Sequence, residues 1–192
     1  MPISIFENKN GKLNDISANL GLADTHGWWS RVTAEDLNGD GSLDLIVGNQ
    51  GENYKFKPTL EKPLQVFAKD FDGNGTNDIF LAKMNNEDLV PVRGKECTSV
   101  QMPVISAKFP SFQSFAEADL QDILGKDMDN AMHLKASNFS SVILINDNGN
   151  FIEKKLPTEA QFSAVNCFII KDFNGDGHLD VAVSSPSPSH TR

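Results

Sequence analysis

Three nine-residue stretches hold the side chains best suited to chemistry. They read Asp36-Leu37-Asn38-Gly39-Asp40-Gly41-Ser42-Leu43-Asp44, Asp70-Phe71-Asp72-Gly73-Asn74-Gly75-Thr76-Asn77-Asp78, and Asp172-Phe173-Asn174-Gly175-Asp176-Gly177-His178-Leu179-Asp180. Each has an oxygen-bearing side chain at positions 1, 3, 5 and 9 and glycine at positions 4 and 6. That spacing can wrap a loop around one hard cation. Calcium takes six to eight oxygen ligands, from carboxylates, amide oxygens, main-chain carbonyls and water. Position 7 varies, as Ser42, Thr76 and His178, which suits a main-chain carbonyl ligand that does not depend on the side chain. About three calcium ions are expected, one per loop.

The obvious rival is the EF-hand, whose twelfth loop position is a bidentate Glu. Here that position is Val47, Leu81 and Val183, and the closing acid stands at position 9. The flanks also differ. Leu45-Ile46-Val47, Ile79-Phe80-Leu81 and Val181-Ala182-Val183 follow the loops; Val66-Phe67-Ala68 and Phe168-Ile169-Ile170 precede two of them. Such short, β-favouring apolar runs predict buried strands, so the context is strand–loop–strand. Asp-Gly and Asn-Gly pairs also mark plain hairpin turns. One copy would fit that reading, but three with the same four-donor spacing favour metal loops.

The pattern of Asp, Phe or Leu, Asp or Asn, Gly, Asp or Asn, Gly, two variable residues and Asp, followed by an apolar strand, resembles the FG-GAP/VCBS repeat family. The resemblance implies integrin-α-like β-propeller blades, with a calcium loop joining the first two strands of a blade. Gly27-Trp28-Trp29-Ser30 and Val66-Phe67-Ala68-Lys69-Asp70-Phe71-Asp72 are similar, more loosely, to VCBS-repeat proteins of bacterial surface and secreted origin.

The wider chain supplies the elements that must position these loops. Residues 1–184 are read as mainly β, blade-like repeats of an incomplete propeller or fragment, with a helical insertion at about 91–131. Residues 185–192 read as a Ser/Pro-rich tail or linker. Asn10-Gly11 sits between short strands as a hairpin turn, and Asn146-Asp147-Asn148-Gly149-Asn150 as another. The second falls in a blade, containing residues 137–155, without a full calcium loop. Ser111 to Leu124 carries Phe112, Phe115, Ala116, Leu120, Ile123 and Leu124 at helical spacing, with Ser111 as cap and Gly125 as stop. A weaker helix is expected over 95–109, constrained by Pro103. The loops starting at Asp36 and Asp70 are too close for a full blade of about 40–50 residues, and Gly51 to Pro58 looks irregular. Only one of Trp28 and Trp29 is expected in the core, since neighbours on a strand face opposite ways. Packing is favoured for them over a sugar-stacking role.

The net charge of −9 argues against nucleic acid, which needs a basic footprint. Three bound calcium ions would bring it near −3. No stretch approaches 18 apolar residues, so no membrane span is expected. No signal peptide is visible at Met1–Phe6, and the chain reads as a fragment or a processed product. Cys97 and Cys167 could pair or remain free. His26, His133, His178 and His190 form no catalytic pattern, and no nucleophile elbow or phosphate loop occurs. The chain is therefore expected to be non-catalytic. The leading expectation is an extracellular or cell-surface calcium-binding module for adhesion, glycan or protein binding, or surface assembly. It would act through self-association or within a longer polypeptide. The alternative is an accessory propeller portion of a secreted carbohydrate-active enzyme whose catalytic residues lie elsewhere.

Overall fold

The structure, a computed structural model, describes residues 1–185; of the tail expected at 185–192, all but Ser185 lies outside them. The fold is mainly β. Its strands are β1 (Phe6–Lys9), β2 (Lys12–Asp15), β3 (Arg31–Glu35), β4 (Asp44–Gly48), β5 (Leu64–Lys69), β6 (Asp78–Asn85), β7 (Asp88–Pro91), β8 (Met132–Ala136), β9 (Val142–Asp147), β10 (Asn150–Lys155), β11 (Cys167–Lys171) and β12 (Asp180–Ser184). The helices are α1 (Lys95–Gln101), α2 (Val104–Lys108), α3 (Phe112–Ala116) and α4 (Leu120–Leu124). All strand pairing is antiparallel: two four-stranded sheets, ordered β10-β9-β4-β3 and β7-β6-β5-β8, and two hairpins, β1-β2 and β11-β12. Among the described residues these sheets do not close into a barrel.

The chain divides into two compact units, Met1–Lys57 with Asn138–Arg192, and Pro58–Ser137. Neither junction falls at a boundary expected from the sequence. The reason lies in β4. It pairs with β9, far along the chain, with Leu45 opposite Leu144, Ile46 opposite Ile143 and Val47 opposite Val142. The Asn148-Gly149 hairpin therefore completes the sheet begun by β3 and β4, and the whole of Pro58–Ser137 is inserted between that sheet's second and third strands. This corrects the assignment of 137–155 to a separate blade lacking a metal loop: its sheet contains the first loop. It also explains the short interval between the first two loops. No strand forms over 49–63, because β4 finds its next partner elsewhere.

In the first unit β4 is buried along its whole length. Period-2 alternation sends Leu45 and Val47, with Val142 and Leu144, to one face, where Ile3 and Leu22 cover them. Ile46 goes to the other face, with Leu156, Ala160, Val165 and Phe168. A strand buried on both sides reads as a continuous apolar run, as Leu45-Ile46-Val47 does. Trp29 packs against the first of these clusters and donates its indole N–H to Thr25 O at 2.8 Å, whereas Trp28 is 47% exposed. Gly48 has a separate requirement: a Cβ there would lie 2.0 Å from the Val165 carbonyl oxygen.

The second unit packs its helices on its sheet. Phe67, Phe80 and Ala82 meet Met102, Ile105, Phe109, Phe115, Leu120, Ile123 and Leu124. The sequence predicted one helix from Ser111 to Leu124; two short ones form. Ser111 caps α3, exchanging hydrogen bonds with Ser114, and Asp119 caps α4 in the same way with Asp122. A second capping box inside the apolar period starts a new helix instead of continuing the old one. Phe112 then lies outside the core, exposed, with the Lys95 ammonium 5.6 Å from its ring centre. Pro103 likewise separates α1 from α2.

One buried amide joins the elements of the first unit. Asn49 Nδ2 donates to the carbonyls of Asn138 (2.9 Å) and Ser140 (3.2 Å), and Oδ1 accepts from the N–H groups of Trp28 (3.1 Å) and Gln50 (2.8 Å). Its own N–H donates to Ser141 Oγ. Asn49→Ala would leave several of these groups unpaired away from water. It is expected to lower stability by about 1–3 kcal/mol, read as a shifted urea midpoint. An unchanged midpoint would show that water replaces the amide at no cost.

Candidate metal loops

Each candidate metal loop joins two adjacent antiparallel strands: β3 to β4, β5 to β6, and β11 to β12. Closely similar hydrogen bonds recur in all three. The position-1 carboxylate takes main-chain N–H groups from the glycine turn: Asp36 from Gly39 (2.8 Å) and Gly41 (2.9 Å), Asp70 from Asn74 (3.0 Å) and Gly75 (2.8 Å), and Asp172 from Gly175 (2.6 Å) and Gly177 (2.9 Å). The position-3 side chain accepts from the N–H of residue 5, at 3.0 Å for Asn38, 3.2 Å for Asp72 and 2.8 Å for Asn174. The position-5 side chain accepts from the N–H of residue 7 at 2.8 Å, onto Asp40 from Ser42, Asn74 from Thr76 and Asp176 from His178. The position-9 carboxylate closes the loop on the N–H of residue 2: Asp44 on Leu37 (3.0 Å), Asp78 on Phe71 (3.1 Å) and Asp180 on Phe173 (2.9 Å).

The glycines make this path possible. Positions 4 and 6 have φ of +77° and +87° in the first loop, +74° and +87° in the second, and +80° and +87° in the third. L side chains rarely adopt that region. With both glycines left-handed, the loop curls so that successive donor side chains converge. Each carboxylate oxygen has two lone pairs, so accepting one N–H still leaves a site for a cation.

The loops differ in where their acids point. Among the described residues, one group of three acids has ligand atoms all within 4.8 Å of one another: Asp70, Asp72 and Asp78. In the first and third loops position 3 is Asn, and its amide N–H donates to the position-5 carboxylate, Asn38 to Asp40 at 2.8 Å and Asn174 to Asp176 at 3.1 Å. That contact occupies one lone pair of the Asp40 or Asp176 carboxylate and leaves its others open to a cation. The Ser42 N–H, then the Asn38 amide, hold Asp40 below the usual carboxylate range, and the Gly177 and Gly175 N–H groups do the same for Asp172. Asp78 goes the other way. Burial first, then the charges of Asp72 and Asp70, push its carboxyl above the ordinary value, against the lowering effect of the Phe71 N–H. A cation among these three would relieve that repulsion, and an all-oxygen donor set fits a hard one.

Residues 1–47 match a family model described as an FG-GAP-like repeat. The chain carries an FG-GAP-like repeat. The matched span begins before the β1–β2 hairpin and runs through the first metal loop into β4. No curated protein and no solved structure matched the chain.

Several structural partners of the loops carry little sequence signal. Asp44 is fully buried and uses its second oxygen to accept from the Asn146 N–H at 2.8 Å, while Asn146 Nδ2 reaches Leu43 O at 3.1 Å. The turn asparagine Asn146 could be read as a hairpin residue; its role in the metal loop could not, because nothing local pairs residues 102 positions apart. Cys97 and Cys167 are free thiols. No helix among the described residues is long and apolar enough to cross a membrane.

Asp78 supplies a pH test. Its folded carboxyl holds a proton more tightly than the unfolded chain does. Its contribution therefore favours the fold at low pH and is lost as pH rises through the raised value. A divalent cation competes with that proton, so affinity at this loop should fall as pH drops toward the same value. Asp78→Asn keeps an acceptor for Phe71 while removing a charge. It should leave the metal-free melting temperature at neutral pH unchanged or higher, yet weaken calcium binding at this loop roughly tenfold or more, about 1.4 kcal/mol. Calorimetric titration of both proteins at about pH 5 and 7 checks this; equal affinities would remove Asp78 from the ligand set.

Proposed function

We propose that this chain is a non-catalytic, calcium-binding repeat module of an extracellular or cell-surface protein, which presents its surface for adhesion, glycan or protein binding, or assembly. The observation that carries the reading is the threefold recurrence of one hydrogen-bonded loop whose oxygen side chains are held in place before any ion arrives. Asp36, Asn38, Asp40 and Asp44, Asp70, Asp72, Asn74 and Asp78, and Asp172, Asn174, Asp176 and Asp180 are the side-chain ligands. The main-chain carbonyls of Ser42, Thr76 and His178 complete the sets. Each set has three carboxylates and one amide at its numbered side-chain positions. Calcium-binding extracellular modules work at about 10⁻⁴–10⁻³ M, where such partly exposed sites fill without great affinity. Bound calcium would neutralise the acids that otherwise face one another and would tie each pair of strands at its loop. A glycan ligand is supported by an aromatic surface in the first unit: Trp28 and Tyr54, both partly exposed, flank Phe139 with ring centres 6.3 and 5.9 Å from it.

Calcium at ten times its dissociation constant contributes about 1.4 kcal/mol per site, so three sites give roughly 4 kcal/mol. That is a large part of a typical domain stability of about 5–15 kcal/mol. Chelation with EDTA is expected to lower the melting temperature clearly, and added calcium, but not added sodium at matched ionic strength, to restore it. An identical melt with and without chelator would reduce the loops to hairpin turns.

A further inference from the structure

The first unit is built from one layout used twice. Hairpin β1–β2, a 3-10 turn at Ser17–Leu20, β3, the first metal loop and β4 follow one another; so do hairpin β9–β10, a 3-10 turn at Thr158–Gln161, β11, the third metal loop and β12. The two hairpin turns match in detail. Asn8-Lys9-Asn10-Gly11-Lys12-Leu13 parallels Asn146-Asp147-Asn148-Gly149-Asn150-Phe151, and in each the glycine N–H donates to the first asparagine's Oδ1 at 2.8 Å. The end of the first layout, β4, pairs with the start of the second, β9. Among the described residues, β12 has β11 as its only strand partner and β1 has β2.

We propose that the open edge of β12 takes the β1 edge of a second copy of this chain, in the register that β4 uses for β9. Superposing the layouts pairs Val181 with Phe6, Ala182 with Ile5 and Val183 with Ser4. The main-chain directions agree with this. Ile5 sends both of its main-chain groups toward the β2 side, its N–H to Ser17 Oγ and its carbonyl to the Ile16 N–H, so Ser4 and Phe6 send theirs to the open edge. Ser184 O accepts from Asn166 N–H on the β11 side, so Val181 and Val183 face outward on β12. Both edges carry exposed apolar side chains, Phe6 and Val183 among them. The terminal contact also has its counterpart. Asp44 binds Leu37 N–H with one oxygen and Asn146 N–H with the other. Asp180 binds Phe173 N–H with Oδ2, leaving Oδ1 for Asn8 N–H, and Asn8 Nδ2 for Leu179 O. The two hairpins of one chain cannot meet this way. The N-terminal segment packs on the Leu45/Val47 face of the central sheet and β11–β12 on the Ile46 face. The contact is head-to-tail, so it repeats from copy to copy. This inference deepens the assembly role proposed above and rests on it.

Light scattering on the unmodified chain is expected to show a mass that grows with concentration above the 21.0 kDa of one copy, in calcium. A constant 21.0 kDa overturns the pairing; if chelator still lowers the melt of that monomer, the calcium reading stands without it. Register is tested in a Cys97→Ser, Cys167→Ser background. Ile5→Cys with Ala182→Cys places thiols at directly opposed, non-hydrogen-bonded positions about 4.5 Å apart at Cα, within disulfide reach. Glu7→Cys with Ala182→Cys shifts one partner along the strand to about 7–8 Å. Mild oxidation should give a ladder of linked chains with the first pair and none with the second. Equal ladders, or none with either, overturn the register.

Discussion

Each candidate metal loop hangs on one carboxylate. The aspartate at position 9 begins the outgoing strand and accepts the N–H of position 2, beside the end of the incoming one. Without that bond the two strands could still pair, but the intervening residues would have no reason to converge. At Asp44 the constraint extends further, because its second oxygen holds the turn of the third strand. A buried carboxylate without partners is costly, and two N–H donors are what make this one tolerable. Loop, strand pair and hairpin turn in the central sheet therefore depend on a single side chain.

The arrangement accounts for the division of labour along the sequence. Metal-loop glycines set the curl, the position-1 aspartate gathers the turn N–H groups, and the residues at positions 3 and 5 lock in register behind it. The choice between Asn and Asp at position 3 then decides how the acids rest. Asn38 and Asn174 hold the neighbouring carboxylate with an amide N–H, whereas Asp72 adds charge beside Asp70 and Asp78 and raises the cost of leaving them without a cation. The three loops share a spacing but differ in their metal-free electrostatics.

Much of this was legible in the sequence, and what was not had a physical reason. The strands around the loops announced themselves as apolar runs, and Asn10-Gly11 and Asn148-Gly149 as turns; their φ values are those of a tight hairpin. β3 did not, because it is an edge strand whose Val32 is exposed. The β6–β7 turn carries no such signal, because Asn86 takes the left-handed conformation there without a glycine after it. The break between α3 and α4 was hidden because Asp119 interrupts an apolar period that otherwise continues. Least visible was the pairing of β4 with β9. Local pattern cannot reveal a partner beyond an inserted unit, and the even spacing expected of repeats was absent for that reason.

The central claim is that each loop holds its own calcium ion. Native mass spectrometry of the intact chain in calcium, beside the single variants Asp36→Asn, Asp70→Asn and Asp172→Asn, tests it most directly. The account expects three calcium ions on the unmodified chain and one fewer on each variant. A chain that carries no calcium, or three variants that all retain the full complement, would contradict it.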